Sequence, residues 1–287
     1  VSVVSGKVIF CEGKQTSLDF RLLNRVVENL STNKPTIVPS GSKFTFSVFV
    51  EGYFSSSAAT KQQYIIFRDR DFDVKPTSNV ELIQFNSMFL THRACVENYL
   101  LDADLIHNYW QAKYTEKLNN PTSKWGHGDS PGVEVISAWI EDAARSLQDY
   151  QTVRWALADL LRSSGSRQQL KTTWTGGSGK LPQSLNLQDC EQQALVLIEQ
   201  FREAVETVTQ ESFTESIDLY RELFSQEEFW TSKQYLIWFH GKDIQKAMQQ
   251  RQSQYISLSS FFDWALNQID INLYPDLIDL QNRISLM

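Results

Sequence analysis

Lys7-Val8-Ile9-Phe10-Cys11-Glu12-Gly13 carries four apolar residues into an acid and then a glycine. Thr16-Ser17 follows as a helix cap, and Leu18, Leu22, Leu23, Val26, Val27 and Leu30 then recur at helical spacing. A short continuous apolar run bounded by a turn and followed by a helix reads as a buried parallel strand. Glu12 then stands at the carboxyl tip of that strand, the edge at which open α/β sheets bind their ligands. A charge there is costly unless something pairs with it. A metal ion or a lysine would do so, which directs attention to the other acids and lysines that chain topology could bring to the same edge.

Working outward, Asn33-Lys34-Pro35 breaks the first helix and Thr36-Ile37-Val38-Pro39 predicts a second strand. Residues 44–54 fit either a strand or a helix; a crossover between parallel strands favours the helix. Gln63 to Phe67 predicts a third strand, running into Arg68-Asp69-Arg70-Asp71-Phe72-Asp73, and Glu81 to Phe85 a fourth. From about residue 97 to 230 the pattern is helical, clearest at Val133–Leu147, Thr152–Leu161, Leu187–Val208 and Phe213–Leu223. Tyr235 to Phe239 returns to a strand signature ending in His240-Gly241-Lys242-Asp243. Helices are expected again at 244–248, 258–269 and 275–284. The fold class is therefore α/β, a mainly parallel sheet flanked by helices with a large all-helical stretch.

Composition narrows the function classes. Hydrophobic residues make up 41% and charged residues 21% of the 287, which is the balance of a globular chain with ample core material. No apolar run approaches the ~18 residues of a membrane span, and the apolar start is too short for a signal peptide. Three widely spaced cysteines, Cys11, Cys95 and Cys190, give neither a disulfide framework nor a zinc pattern, and the expectation is a reduced, cytoplasmic protein without a membrane partner. The net charge of −7 argues against a coat protein that holds nucleic acid by charge alone, but not against a metal-dependent nuclease. Charge is unevenly spread: residues 154–180 have a net of +4 and residues 186–228 a net of −9. Each run is either a solvated face or, respectively, a phosphate-facing and a partner-facing surface.

Asp69 and Asp71 are two residues apart after an apolar strand, so in an extended chain both carboxylates share one face and repel unless a cation joins them. Mg²⁺ suits such a pair, since it takes oxygen ligands from one or two carboxylates together with substrate phosphate. An acid-rich turn is the competing reading. Asp73 would point the same way. Glu12 and Glu97 also read as helix-start acids that complement a dipole, Asp19 as an exposed helix residue, and Lys242 as a loop lysine. Their shared position at expected strand tips is the specific feature.

Those residues carry a resemblance. Phe10-Cys11-Glu12-Gly13 followed by Asp69-Arg70-Asp71 resembles the two hallmarks of the Toprim domain of topoisomerases, primases and OLD-family nucleases. Val96-Glu97-Asn98-Tyr99-Leu100 and His240-Gly241-Lys242-Asp243 resemble the later motifs of OLD-type Toprim nucleases and of a standalone effector family of bacterial phage defence that pairs with an ABC-type ATPase, as in PARIS-type systems. The likeness covers about residues 7–105 and 235–248. It implies a Toprim core over 1–105 plus 233–287 and a helical insertion over 106–232. It also implies Glu12 as metal ligand or general acid/base, Asp69 and Asp71 as metal ligands, Glu97 at a second metal position and Lys242 near the scissile phosphate. Asp19, Asp73, Asp243 and His240 are accessory candidates. The OLD-type pattern has a second acid four residues after its glutamate; Thr16 stands there in this chain, and Asp19 is the nearest acid beyond it.

The activity so implied is Mg²⁺- or Mn²⁺-dependent cleavage of DNA, or of structured RNA such as tRNA, by a toxic effector with an ATPase partner. A homodimer would give two sites for two strands. A catalytically degenerate Toprim module that docks on an ATPase and senses nucleic acid is the alternative. Gly176-Gly177-Ser178-Gly179-Lys180 superficially resembles a phosphate loop, but Trp174 occupies its first glycine position and Leu181 its Ser/Thr position, so a flexible loop is expected. The four histidines show no paired metal spacing. Tyr109, Trp110, Trp139 and Trp155 read as core.

Overall fold

The computed structural model describes residues 6–28, 30, 34–41, 63–85, 88–120, 122–163, 170–202, 208–253 and 255–287. Residues 44–54, equivocal in sequence, lie outside the described residues. The chain forms two compact units, one from the described parts of Val1–Arg70, Pro76–Val96 and Phe262–Met287, the other from Asp71–Lys75 and Glu97–Phe261.

The first unit is a five-stranded sheet. Its strands are β1 (Val8–Cys11), β2 (Thr36–Pro39), β3 (Tyr64–Arg68), β4 (Ile83–Phe85) and β5 (Met88–Leu90), in the order β2-β1-β3-β5-β4. β1 is parallel to β2 and β3, β3 is parallel to β5, and only the edge strand β4 is antiparallel, to β5. Every residue of β1 is buried, and Val8 and Phe10 pack with Ile66 of β3. That is why this strand reads as a continuous apolar run rather than an alternating one. Helix α1 (Leu18–Val27) is capped by Ser17, whose Oγ accepts from the Phe20 N–H, and buries Leu22, Leu23, Val26 and Val27. Gly13 makes the turn out of β1 at φ 81°, exchanges backbone hydrogen bonds with Gly41, and leaves no room for a Cβ against Ser17. Because the chain runs from β1 out to β2 and returns to β3 on the other side, the sheet reverses its order between β1 and β3. Such a switch point opens a crevice at the carboxyl ends of the strands.

The regular elements of the second unit are helices, with no strand among its described residues: α2 (Glu97–Leu100), α3 (Ala103–Asn119), α4 (Val133–Arg145), α5 (Gln148–Ser163), α6 (Leu187–Arg202), α7 (Gln210–Ser225), α8 (Glu227–Thr231), α9 (Tyr235–Trp238) and α10 (Gly241–Arg251). Helices α11 (Leu258–Ala265) and α12 (Pro275–Leu286) complete the chain. Tyr109, Trp110, Trp139 and Trp155 are buried, as their helical spacing implies.

One element corrects the sequence expectation. Tyr235–Phe239 is not a strand: Trp238 and Phe239 donate backbone bonds to Gln234 and Tyr235, four residues back. Phe224, Phe229 and Trp230 pack around Tyr235, Trp238 and Phe239. A short helix wrapped in aromatic side chains is apolar on every side, and its periodicity looks the same as that of a buried strand. Residues 97–105 and 233–261 fall in the helical unit, whereas the resemblance implies a core over 1–105 plus 233–287. Met88–Leu90, with no strand expected there, supplies β5; it is three residues long, too short for a periodic signal.

Candidate metal centre

β1 and β3 run side by side with Phe10 opposite Ile66, so Glu12 and Asp69 each follow the carboxyl end of one strand at the switch point. Glu12 is half-buried. Asp19 lies in the first turn of α1. Both act on Cys11, whose thiol is pushed up to about 12, first by burial and then by the charges of Asp19 and Glu12. That thiol stays protonated and inert at neutral pH.

Asp69 is buried, and its Oδ1 accepts a 2.9 Å hydrogen bond from the Val96 N–H. This bond fixes the Cys95-Val96-Glu97 turn where β5 hands over to α2. Asp69, Cys95 and Glu97 each offer a ligand atom within 4.8 Å of the other two, and all three are buried. The group could hold a metal ion. A distinct observation bears on the fit: Glu97 Oε2 is buried without a hydrogen-bond partner among the described residues. A bare carboxylate oxygen in that position is costly, and a cation is one remedy. Two carboxylates match the oxygen preference of Mg²⁺ and Mn²⁺, whereas the softer thiol of Cys95 is a ligand for later transition metals.

The shared face expected for Asp69 and Asp71 presumes an extended chain. The strand ends at Arg68 and Asp71 adopts φ 50°, so the alternation of an extended chain stops before it. Its Oδ1 instead lies 3.0 Å from Nε2 of His240, a buried ring stacked on Phe72. Asp73 is half-buried in the turn that follows.

Within the helical unit, Lys242 Nζ stands 3.8 Å from Glu97 Oε1, with the lysine side chain 42% exposed. Lys242 lies on the first turn of α10 rather than at a strand tip. Asn98 makes this pairing possible. Its amide donates to Phe239 O at 2.9 Å and its Oδ1 accepts from the Gly241 N–H at 2.9 Å, clasping the start of α10 against α2. Asp243 is wholly buried and its carboxylate is fully used: Oδ2 takes the Arg154 guanidinium and the Gln151 amide, and Oδ1 takes the Gly179 N–H at 2.8 Å. It acts as an anchor.

Cys95 and Arg154 carry the local geometry without having stood out as functional in the sequence, where Asn98 and Gly241 appeared only as parts of the quoted motifs. A lone cysteine has no pattern, and Asn98 and Gly241 matter only through a close approach between distant segments. A scan of family models finds no match, and no curated protein matches the chain. Among the described residues no helix is long and apolar enough to cross a membrane.

Proposed function

We propose that this protein is a metal-dependent nuclease that cuts phosphodiester bonds in DNA or in structured RNA such as tRNA, and that it serves as the toxic effector of an anti-phage pair with an ABC-type ATPase. The Toprim and OLD-like motifs support the family reading. The observation that carries the chemistry is Glu97, a buried carboxylate with an ammonium beside one oxygen and, among the described residues, no hydrogen-bond partner at the other.

In this reading Asp69 and Glu97 hold Mg²⁺ or Mn²⁺, which would neutralise phosphate charge and lower the pKa of a bound water. Lys242 meets a phosphate oxygen with its exposed ammonium and stabilises the negative charge that builds there; losing such a contact costs on the order of a hundredfold in rate. Glu12 takes the proton of the attacking water. His240 restrains Asp71 and keeps its carboxylate oriented. Asp19 supplements Glu12, and Asp73 lies outside this set of roles.

The test is incubation of mixed DNA and RNA with Mg²⁺ or Mn²⁺, followed by sequencing of the ends produced. Cutting should vanish in Glu12→Ala and Glu97→Ala. Equal cutting by both variants and wild type sinks the proposal. Unchanged cellular toxicity of Asp69→Asn would favour the non-cutting, ATPase-docked binding module instead.

A further inference from the structure

The loop from Trp174 to Ser184 is fastened directly to the lysine-bearing end of α10. Gly179 donates to Asp243, and Ser178 Oγ accepts from Arg154 Nη2 at 3.0 Å. A Cβ on Gly179 would lie 3.7 Å from that of Lys242. Arg154 and Asp243 are themselves a buried ion pair, so this attachment rests on a rigid base. The glycine-rich segment is thus a wall beside Lys242.

The same loop lines a cavity of about 380 Å³. Trp174 and Pro182 supply its flat apolar walls, and Gln183, Ser184, Gln192 and Gln193 its polar edge. Trp174 is braced: Tyr150 packs against it with the two ring planes nearly perpendicular and their centroids 5.6 Å apart, and Tyr150 is tied by a 2.7 Å hydrogen bond to Thr173. Asp189 also lines the cavity, with Asn186 donating to its carboxylate. A carboxylate at the rim repels phosphate. The lining offers an aromatic ring and amides, which carry both donors and acceptors. Those are the groups that receive a nucleobase.

The geometry points to a base-binding subsite: the cavity takes an unpaired nucleobase of the polynucleotide whose phosphate meets Lys242. Pro182 stands three positions after Gly179, a reach of at most about 10 Å, which stacked nucleotides at about 3.4 Å each cover in three steps. A duplex cannot present a base to a side pocket without opening, so the subsite selects single strands and loops. This rests on the nuclease reading only for the ligand being a polynucleotide.

The experiment measures binding of fluorescein-labelled oligoadenylate, single-stranded or paired with its complement, to the full chain in excess chelator, where no cutting is needed. Wild type should prefer the single strand. Trp174→Ala should weaken single-strand binding about ten- to a hundredfold, Trp174→Phe should retain most of it, and duplex binding should be equal in all three. Thermal unfolding confirms that each variant is folded; if Trp174→Ala is not, Trp174→Leu, which keeps apolar bulk but removes the aromatic ring, takes its place and should weaken single-strand binding in the same way. Equal single-strand affinity in wild type and folded variants overturns the subsite. Metal-dependent cutting that needs Glu97 but keeps its KM in Trp174→Ala also overturns it while leaving the nuclease standing. Trp174-dependent binding without any cutting upholds the subsite and removes the nuclease.

Discussion

Gly241→Ala tests how Lys242 comes to face Glu97. Gly241 begins α10 at an ordinary negative φ, so backbone freedom is not why glycine is there. The added Cβ would lie 2.8 Å from the Asn98 backbone nitrogen, 2.8 Å from Asn98 Oδ1 and 2.9 Å from Glu97 Cβ. Ordinary contact begins near about 3.4 Å, so the two segments must part by roughly 0.6 Å. One of the three atoms is backbone and cannot rotate away. The Gly241–Asn98 hydrogen bond would stretch from 2.9 Å to about 3.5 Å, the limit of such bonds. Overpacking costs about 1–3 kcal/mol and the lost buried bond about 1 kcal/mol, against a gain of up to about 1 kcal/mol for alanine over glycine in a helix. The net is a destabilisation of about 1–3 kcal/mol. With a urea slope near 3 kcal/mol/M, the unfolding midpoint should fall by roughly 0.3–1 M at unchanged slope. Cleavage should fall by tenfold or more, since Lys242 is the next residue. Asn98→Ala in the same chain relieves only one of the three clashes and should not restore either readout. A midpoint and a rate equal to wild type would refute the claim that this close approach positions the lysine.

Asp243→Asn should cost about 3–5 kcal/mol, because it leaves the Arg154 guanidinium buried and charged without its counter-ion; thermal unfolding of the single variants and of Asp243→Asn with Arg154→Met reads the coupling, and additive losses would contradict it. His92 is 2% exposed, and its pKa is lowered to about 4, first by burial and then by Arg70 and Arg93, with Asp276 opposing. Below pH 6.5 the unfolded chain therefore takes a proton that the fold refuses. Stability is full above 6.5 and is lost as pH falls towards 4, by at most about 3 kcal/mol. His92→Gln should flatten the denaturation-midpoint profile between pH 6.5 and 4, and an unaltered profile would show that His92 is not responsible.

The parallel sheet was legible because burial on both faces leaves an uninterrupted apolar run at Val8–Cys11, and because Ser17 and the spacing from Leu22 to Val27 announce a helix whatever surrounds them. The acids at the strand ends, Glu12 and Asp69, were legible for the same local reason. Tyr235–Phe239 was not, since five bulky apolar residues describe a buried helix and a buried strand equally well, and only the aromatic side chains around them choose. Asp71 shows the same limit: its spacing from Asp69 implies a shared face only while the chain stays extended, and the left-handed turn at that residue is a property of the folded loop. Asn98 and Gly241 acquire meaning through an approach of about 3 Å between segments more than a hundred residues apart, and Cys95 only by being brought beside Asp69. Sequence by itself determined the fold class and which side chains are chemically able to act, because those follow from local periodicity and residue type. Tertiary structure alone decided which of them meet, because that depends on how distant backbones pack.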